Sequence, residues 1–444
     1  MTEVPGEPSV DISERLQLAS GEDRRDILNA LMAAHPDGRL ILVGAVEARN
    51  NLREVPLAGA RLRGAGLAYS DLHKADLSGA NLSQADMRHA ALEGADLQRA
   101  DLSEVNLSNA NLGEANLSRA LLEDAKLEQA SLRFANLTEA VLENASLKGA
   151  DFWGAVLTEG DLNRASARAA TFGELKAEGV DFTKSDLRDT DFTNATLARA
   201  RFTGADLRGA SLRGADLSGA DFSGAYLQGV DLSQCALSGA HWDGAILDHT
   251  RFTQNQIGAV GEESANDPLR ASRAYLALER NFEDLGDSAA NSWAYLKRRR
   301  MQKKAALANG LAALRERRLG RAVAGLATFV GDTLVELMCN YGESVVRVFA
   351  SIGVVYIGFM TAYGVLGGVN RVTPLPGGGQ SLHVTRGLMD LAVFSLGAMT
   401  TSGAESSLLV SSSLFVKLLT GIQALTGIFL TGLLGFVAGH RIRR

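Results

Sequence analysis

Six consecutive residues near the C-terminus carry oxygen atoms from which the chain could build an ion-binding site. They are Thr400, Thr401, Ser402, Gly403, Ala404 and Glu405. Hydroxyl and main-chain carbonyl oxygens can replace the hydration shell of a cation, and rings of carboxylates attract cations to a pore. Such chemistry requires that the oxygens are held together and surrounded by protein, so the elements on either side decide whether the site can form.

The segment that carries these oxygens lies between two uncharged runs, Val348 to Val369 and Leu418 to Gly439. Each run is long enough to cross a bilayer as a helix, for which ~20 apolar residues suffice. From Leu388 onward the intervening sequence is predicted to form a short amphipathic helix that breaks into a segment rich in Thr, Ser and Gly. This order of elements is typical of an ion-channel pore.

Two stretches of this region resemble the two-transmembrane potassium-channel-like family. Phe394 to Glu405 is similar to its pore loop, in which a pore helix ending in Thr-Thr precedes Val-Gly-Tyr-Gly-Asp, and Gln423 to Leu430 is similar to its inner helix. The resemblance implies a homotetramer conducting monovalent cations, with Thr400 to Glu405 as selectivity filter and Gly427 as the hinge of the inner helix. Four other glycines could serve close helix packing, namely Gly421, Gly432, Gly435 and Gly439.

The predicted filter departs from the family pattern at its end. Ala404 and Glu405 stand where Tyr-Gly completes a potassium filter, so no Tyr packs behind the filter and the main chain has less access to positive φ. We therefore expect a cation channel without assigning potassium selectivity. Glu405 is interpreted as part of a carboxylate ring, and the alternative of a rim charge facing water stays open.

A five-residue rhythm fills the first part of the chain. From Leu52 to Phe252 a large apolar residue, usually Leu, stands at every fifth position, with a small residue two positions earlier and commonly Asp or Asn between them. The pattern resembles the pentapeptide-repeat family and implies a right-handed quadrilateral β-helix, a solenoid of four units per coil. The small residue and the Leu of each unit would point into the narrow interior.

The rhythm weakens between Ser166 and Val180. Ala167 and Ala177 replace the central Leu, and Leu175 occupies a small-residue position. We expect a distorted coil here, with tolerated sequence drift as the alternative. The histidines of the repeats fall at scattered outward positions that are interpreted as solvated surface, namely His73, His89, His241 and His249.

The complete sequence predicts five segments. They are an N-terminal helical cap at 1–50, the pentapeptide-repeat β-helix at 51–255, a basic helical linker at 266–320, an interfacial amphipathic helix at 321–342 and a two-transmembrane pore domain with a re-entrant pore helix at 343–444. The linker is expected to contain an antiparallel helical pair. Asp332 and Glu336 argue that the interfacial helix does not span the bilayer.

Charge predicts the orientation of the chain. Lys and Arg flank both apolar runs on their outer sides and are sparse in the connecting loop, so both termini are expected in the cytoplasm, with the protein in the cell inner (plasma) membrane. No apolar segment follows the acidic start Met1 to Asp11, so no signal peptide is expected. The cluster Lys297 to Lys304 would attract anionic headgroups or form a solvated helix face.

No nucleophile and base pair, metal-ligand spacing or phosphate-binding loop is present in the sequence, so neither an enzyme nor a cofactor is expected. Expected partners are the lipid bilayer, further copies of the chain and a possible protein on the β-helix. Nucleic acid is not expected, although some pentapeptide-repeat proteins mimic a duplex and bind topoisomerases. The competing hypothesis is a membrane-anchored scaffold that displays the β-helix to a protein partner without conducting ions.

Overall fold

A computed structural model describes residues 51–374, 380–400, 409–411 and 413–443 of the chain. It divides into two compact units, Met1–Met301 and Gln302–Arg444. The predicted N-terminal helical cap at 1–50 lies outside the described residues.

The first unit contains a solenoid in which parallel bridges join residues twenty positions apart. The bridges run from Asn51↔Asp71 to Asp231↔Arg251, with one interruption opposite Ser211. Four five-residue units therefore complete one coil. This confirms the predicted β-helix solenoid.

Each five-residue unit satisfies its polar main chain through the next coil and fills the interior with its side chains. Leu82 and Ala85 are fully buried, and the Leu82 amide donates to the Asp101 carbonyl of the next coil at 2.7 Å. Asn81 is favoured at its position because its side-chain oxygen accepts from the Ser83 amide at 3.1 Å, which fixes the turn. Each buried Leu contributes about 1.5–3 kcal/mol, so stacked units stabilise one another.

The expected distortion between Ser166 and Val180 is wrong. The bridges Ser166↔Asp186 and Lys176↔Thr196 continue the ladder, and Ala167, Leu175 and Ala177 are all fully buried. The large Leu175 is accommodated because the two alanines vacate the volume of two leucines beside it. Cores tolerate such exchanges when the total volume is kept.

Helices close the C-terminal end of the solenoid. α1 (Gln254–Ile257), α2 (Gly261–Ser264) and α3 (Pro268–Asp284) are followed by the long α4 (Ser288–Arg315). The Asp267 side chain caps α3 by accepting from the Arg270 amide, and the Asp287 side chain accepts from the Ala290 amide at the start of α4. Tyr275, Leu278 and Phe282 of α3 are buried against the last coils.

Side chains of the cap replace the coil that would otherwise follow. The Glu262 carboxylate accepts from the Trp242 and Asp243 amides, both at 2.7 Å. Asn281 accepts from the Thr250 amide at 3.0 Å and donates to the Thr250 carbonyl at 2.9 Å. The helices thus supply hydrogen-bond partners for the main-chain groups at the end of the ladder. The interpretation of this segment as a linker did not include that role.

Part of the basic cluster on α4 is engaged in ion pairs. Lys297 Nζ lies 3.1 Å from the Glu263 carboxylate, and Arg298 Nε lies 2.6 Å from that of Glu279. These two cations stabilise the cap. They therefore belong neither to a surface that binds headgroups nor to a solvated helix face. Lys304 remains exposed.

The second unit combines apolar helices with a small antiparallel sheet. Its elements are α5 (Leu319–Cys339), α6 (Val345–Leu366), β1 (Val369–Pro374), β2 (Gln380–Val384), α7 (Leu388–Met399), β3 (Leu409–Ser411) and α8 (Leu414–Arg443). The strand order is β2-β1-β3, so β1 pairs with a strand on each side. A 3-10 turn, Asn340–Gly342, links α5 to α6.

Within the described ranges, three helical segments are long and apolar enough to cross a membrane, where the sequence led us to expect two. They are Leu319–Gly342 with 24 residues, Val345–Leu366 with 22 and Leu414–Gly439 with 26. The first contains the helix expected at the interface. Glu336, one of the two carboxylates that argued against a span, forms an ion pair with Lys303.

Candidate functional site

The short helix α7 packs one face against its neighbours in the second unit and exposes the other face. Phe394 and Ser395 are fully buried, and the Phe394 ring meets the Tyr363 ring of α6 edge-on with centroids 5.2 Å apart. The opposite face carries exposed apolar side chains, including Leu388, Met389, Val393 and Leu396. The helix is therefore held by α6 and α8 on one side and leaves an apolar surface on the other.

The start of α7 is tied to the sheet. The Thr385 hydroxyl donates to the Asp390 carboxylate at 2.7 Å, and the Thr385 amide donates to the Val369 carbonyl of β1 at 2.9 Å. Arg371 of β1 lies 3.5 Å from the same carboxylate. Asp390 is in the first turn of α7, where a negative charge also interacts favourably with the helix dipole.

A buried polar network connects the middle of α7 to both neighbouring helices. The Tyr363 hydroxyl of α6 donates to Gln423 Oε1 of α8 at 2.7 Å. Gln423 Nε2 donates to Ser395 of α7 twice, to its hydroxyl at 2.7 Å and to its carbonyl at 3.1 Å. All three residues are fully buried. One carboxamide therefore joins the three helices.

The Gln423 network was missed by sequence reasoning, although one signal was present. Gln423 is a polar residue inside a predicted span, and such residues face protein and find hydrogen-bond partners. Its partners lie 28 and 60 positions earlier in the chain, so their identity required the tertiary structure.

Of the predicted filter, only Thr400 is among the described residues. It ends α7, and its amide and hydroxyl both donate to the Leu396 carbonyl, at 3.0 and 2.9 Å. Thr401, Ser402, Gly403, Ala404 and Glu405 lie outside the described residues. The filter assignment stays a prediction.

Gly427, the predicted hinge, lies against the end of α7. A Cβ atom placed there would overlap the Met399 carbonyl group, so only glycine permits this approach of α8 to the last turn of α7. The structure thus places Gly427 in close packing next to the start of the predicted filter. The other four glycines have open space around them, namely Gly421, Gly432, Gly435 and Gly439.

Titratable groups on the solenoid neutralise one another locally. Arg88, Arg188 and Arg208 each donate to the aspartate two positions earlier, and these side-chain hydrogen bonds lower the pKa of Asp86, Asp186 and Asp206. Positive and negative groups are therefore paired on the same faces. A continuous surface of one sign, which duplex mimicry needs, is not formed by these pairs.

The solenoid histidines have neighbours that the sequence did not predict. His73 Nδ1 lies 2.6 Å from Asp71, the His89 ring stacks on Tyr69 with centroids 4.7 Å apart, and His241 lies 3.9 Å from Glu262. The interpretation as plain solvated surface is incomplete. Across the described ranges, no group of three or more His, Cys, Asp or Glu side chains could hold a metal ion.

Comparison with known families identifies the solenoid. The family described as pentapeptide repeats matches residues 51–183 and 185–254, in eight copies. No match was found among curated proteins.

Solved structures that are similar include two described as pentapeptide-repeat proteins, HetL and a plant protein. The crystal structure of HetL, involved in heterocyst differentiation regulation in the cyanobacterium Nostoc sp. Strain PCC 7120, is 33% identical over 50% of this chain and 95% of its own, with a TM-score of 0.34. QnrB1, a plasmid-mediated fluoroquinolone resistance protein, is 18% identical over 40% of this chain and 95% of its own, with a TM-score of 0.32. A protein from the Arabidopsis thaliana thylakoid lumen is 31% identical over 25% of this chain and 63% of its own, with a TM-score of 0.16.

Proposed function

The chain is a pentapeptide-repeat protein, and we propose that its second unit makes it a membrane cation channel. In this proposal α6 and α8 span the bilayer, α7 is a re-entrant pore helix, and Thr400 to Glu405 form the filter. The assembly is a homotetramer with the β-helix in the cytoplasm, and no enzymatic reaction or cofactor is assigned to it.

The observation that carries the proposal is the position of α7 between two strands of one sheet. β2 precedes α7, β3 follows it, and both pair with β1. The chain therefore leaves the sheet, passes through a 12-residue helix and comes back to the same sheet. Twelve residues extend only ~18 Å as a helix, well short of the ~30 Å hydrocarbon core, so in this proposal α7 enters the membrane and is too short to cross it.

Packing of α7 against α6 and α8 explains how its last turn and the irregular main chain after it could lie within a bilayer. Irregular main chain within a bilayer is tolerated only where protein or water surrounds it. The Gln423 network and the Gly427 contact fix α7 to α6 and α8, which supplies protein on one side. The exposed apolar face of α7 requires cover on the other side, and further copies of the chain around a water-filled axis would provide it.

We further propose that α5 lies at the membrane interface. It packs against α4. A Cβ on Gly325 would be 2.8 Å from Gly310 Cα, and Lys303 pairs with Glu336. The earlier residue of α4 meets the later residue of α5, so the two helices are antiparallel. A spanning α5 would bring this part of α4 and its lysines into the hydrocarbon core. Basic residues also stand at the starts of α5 and α6 and at the end of α8. They lie on the same side of the membrane only when α5 does not cross it.

Cysteine accessibility tests this topology. In a Cys235→Ala/Cys339→Ala background, single cysteines at the exposed His383 of β2 and Ser413 before α8 should both react with an impermeant maleimide from outside sealed cells. A cysteine at Arg321, at the start of α5, should react only after permeabilisation. Labelling of positions 383 and 413 from opposite sides would exclude re-entry, and external labelling at 321 would exclude the proposed orientation.

The second candidate is the membrane-anchored scaffold. It shares the apolar helices and the β-helix with the channel proposal, so the two differ only in conduction. A scaffold predicts that changing Thr400 to Glu405 has no effect on ion flux, and a cation channel predicts that it does.

A further inference from the structure

The β-helix contains one place where two neighbouring coils separate on one face. Residues 209–214 and residues 229–234, here called the open seam, face each other without the expected bridge Ser211↔Asp231. The flanking bridges Asp206↔Tyr226 and Asp216↔Ala236 are present. Elsewhere along the described solenoid every such pair of units is bridged, although the Gly209 amide of the adjoining unit also lacks its bond to the Gln228 carbonyl.

The ladder hydrogen bonds are also missing at the open seam. In intact coils the amides at the second and fourth positions of a unit donate to the next coil, as Leu82 does to Asp101 at 2.7 Å and Gln84 does to Ser103 at 2.8 Å. The corresponding amides of Leu212 and Gly214 donate to no main-chain carbonyl among the described residues.

Main-chain groups on the other edge of the open seam are unpaired as well. The Asp231 amide lacks its bond to the Ala210 carbonyl, and the Asp231 carbonyl receives no main-chain donor within the described ranges. The open seam therefore presents amide donors and carbonyl acceptors on both sides. A row of such groups is what an unprotected sheet edge offers to another chain.

Interior volume contributes to the opening but does not suffice for it. Val230 and Cys235 occupy interior positions that Ala210 and Ala215 fill in the preceding coil, and both are buried beside a retained Leu232. Ser185 and Thr190 are buried in the same way around Leu187, and the bridges Asp186↔Asp206 and Asp191↔Ser211 are intact there.

The cap contributes the second cause. Gln256 Nε2 donates to the carbonyls of Leu232, Ser233 and Cys235, at 2.9, 3.1 and 2.9 Å. The Ser233 carbonyl is the group that Gly214 would otherwise bind. The cap therefore draws the later edge away from the earlier one.

A cavity of about 370 Å³ occupies the open seam. This volume falls in the range of about 300–1,000 Å³ that is usual for ligand pockets. Arg213 and Asp231 line it with opposite charges. The Arg213 side chain is exposed and has no ion-pair partner among the described residues, whereas Asp231 accepts from the Ser233 amide at 2.9 Å.

We propose that the open seam binds an extended peptide segment of a partner protein through its main chain, with an acidic side chain of that segment against Arg213. Only a main chain supplies donors and acceptors in alternation, as β-strand addition requires. A phosphate or carboxylate alone would satisfy the amides but face the unpaired carbonyls. The Asp231 carboxylate is already engaged locally, so Arg213 is the charge available for selection.

Hydrogen exchange on the full-length protein in detergent provides the first test. The amides of Leu212, Gly214 and Asp231 should exchange at least tenfold faster than those of Phe192, Asn194 and Ser211, which are all bonded in the ladder. Equal rates would mean that the coils are joined in solution and would overturn the proposal.

Selection of phage-displayed random octapeptides on the same protein provides the second test. Ser233→Trp fills the cavity, and Ser218→Trp is the matched control because Ser218 has the same turn position and the same bond to an aspartate two residues earlier, on an intact ladder. Peptides rich in Asp or Glu should be enriched, lose binding to Ser233→Trp and keep binding to Ser218→Trp. Arg213→Ala should weaken them about two- to fivefold, as expected for an exposed ion pair.

Each remaining outcome decides against the proposal. Fast exchange without enriched peptides would show a cleft that only water occupies. Enriched peptides that bind Ser233→Trp and wild type equally, or that protect amides outside the open seam, would place the binding surface elsewhere. Neither result bears on ion conduction, so the channel proposal is tested separately.

Discussion

Replacing Gln423 by Leu should release α7 from its neighbours. Gln423 makes three hydrogen bonds in the interior of the second unit, one with Tyr363 and two with Ser395. Hydrogen bonds between membrane helices are worth ~0.6 kcal/mol each on average, so losing three lowers the free energy of unfolding by ~2 kcal/mol. Leu retains the approximate volume, so the change reports the polar contacts rather than a cavity.

The assay is unfolding of the purified full-length protein in mixed micelles with increasing SDS, followed by helix content. Tyr363→Phe removes one of the three bonds and should cost ~0.6 kcal/mol. In the double variant this loss should disappear, because the acceptor is already absent. Thr426→Val is the control: its hydroxyl donates to the Ile422 carbonyl of the same helix, so its effect should be small.

Equal stability of Gln423→Leu and wild type would refute the assigned role of the network. Strict additivity of Tyr363→Phe and Gln423→Leu would show that the two side chains are not coupled. In the channel proposal, Gln423→Leu should also reduce ion flux, because α7 carries the filter.

Three further changes have defined expectations. Gly427→Ala should lower ion flux severalfold because the methyl group displaces the end of α7, whereas Gly432→Ala, with open space around it, should leave flux unchanged. Ala177→Leu should destabilise the β-helix by about 1–3 kcal/mol in urea unfolding, and adding Leu175→Ala should recover most of this loss; failure of recovery would contradict volume compensation. Burial raises the pKa of the Glu262 carboxyl in the folded state. The stability that this group adds to the cap is therefore fully present below its ordinary pKa of ~4.3 and is lost as pH rises through its raised pKa in the folded state. Glu262→Gln should flatten this pH dependence in urea midpoints followed by tryptophan fluorescence, and an unchanged pH profile would assign the dependence to other groups.

The β-helix followed from the sequence because its rule is local. A large residue every fifth position and a small one two positions earlier describe the interior directly, and Asp or Asn between them fixes the turn through its own side chain. The same reasoning failed at Leu175, because volume is balanced among neighbouring units rather than within one. The open seam was also not predicted, since Val230 resembles Val55 in sequence and only the position of Gln256 distinguishes its coil.

The second unit was predictable as a set of elements and not as a set of contacts. Length and apolarity predicted α6, α7 and α8, but the pairing of β2 and β3 with β1 depends on residues up to 42 positions apart. Gly427 was expected to bend the inner helix, and the structure adds its contact with Met399. α5 remained ambiguous by composition, and its packing on α4 supports the interfacial assignment.

Conduction by the purified protein in planar bilayers is the most direct test of the central claim. Potassium, sodium and chloride gradients should be imposed separately, with Glu405→Gln compared under the same conditions. The account predicts discrete currents that reverse near the cation potentials and decrease in Glu405→Gln. Absence of current from verified tetramers across voltage and pH, or currents that follow chloride, would contradict it.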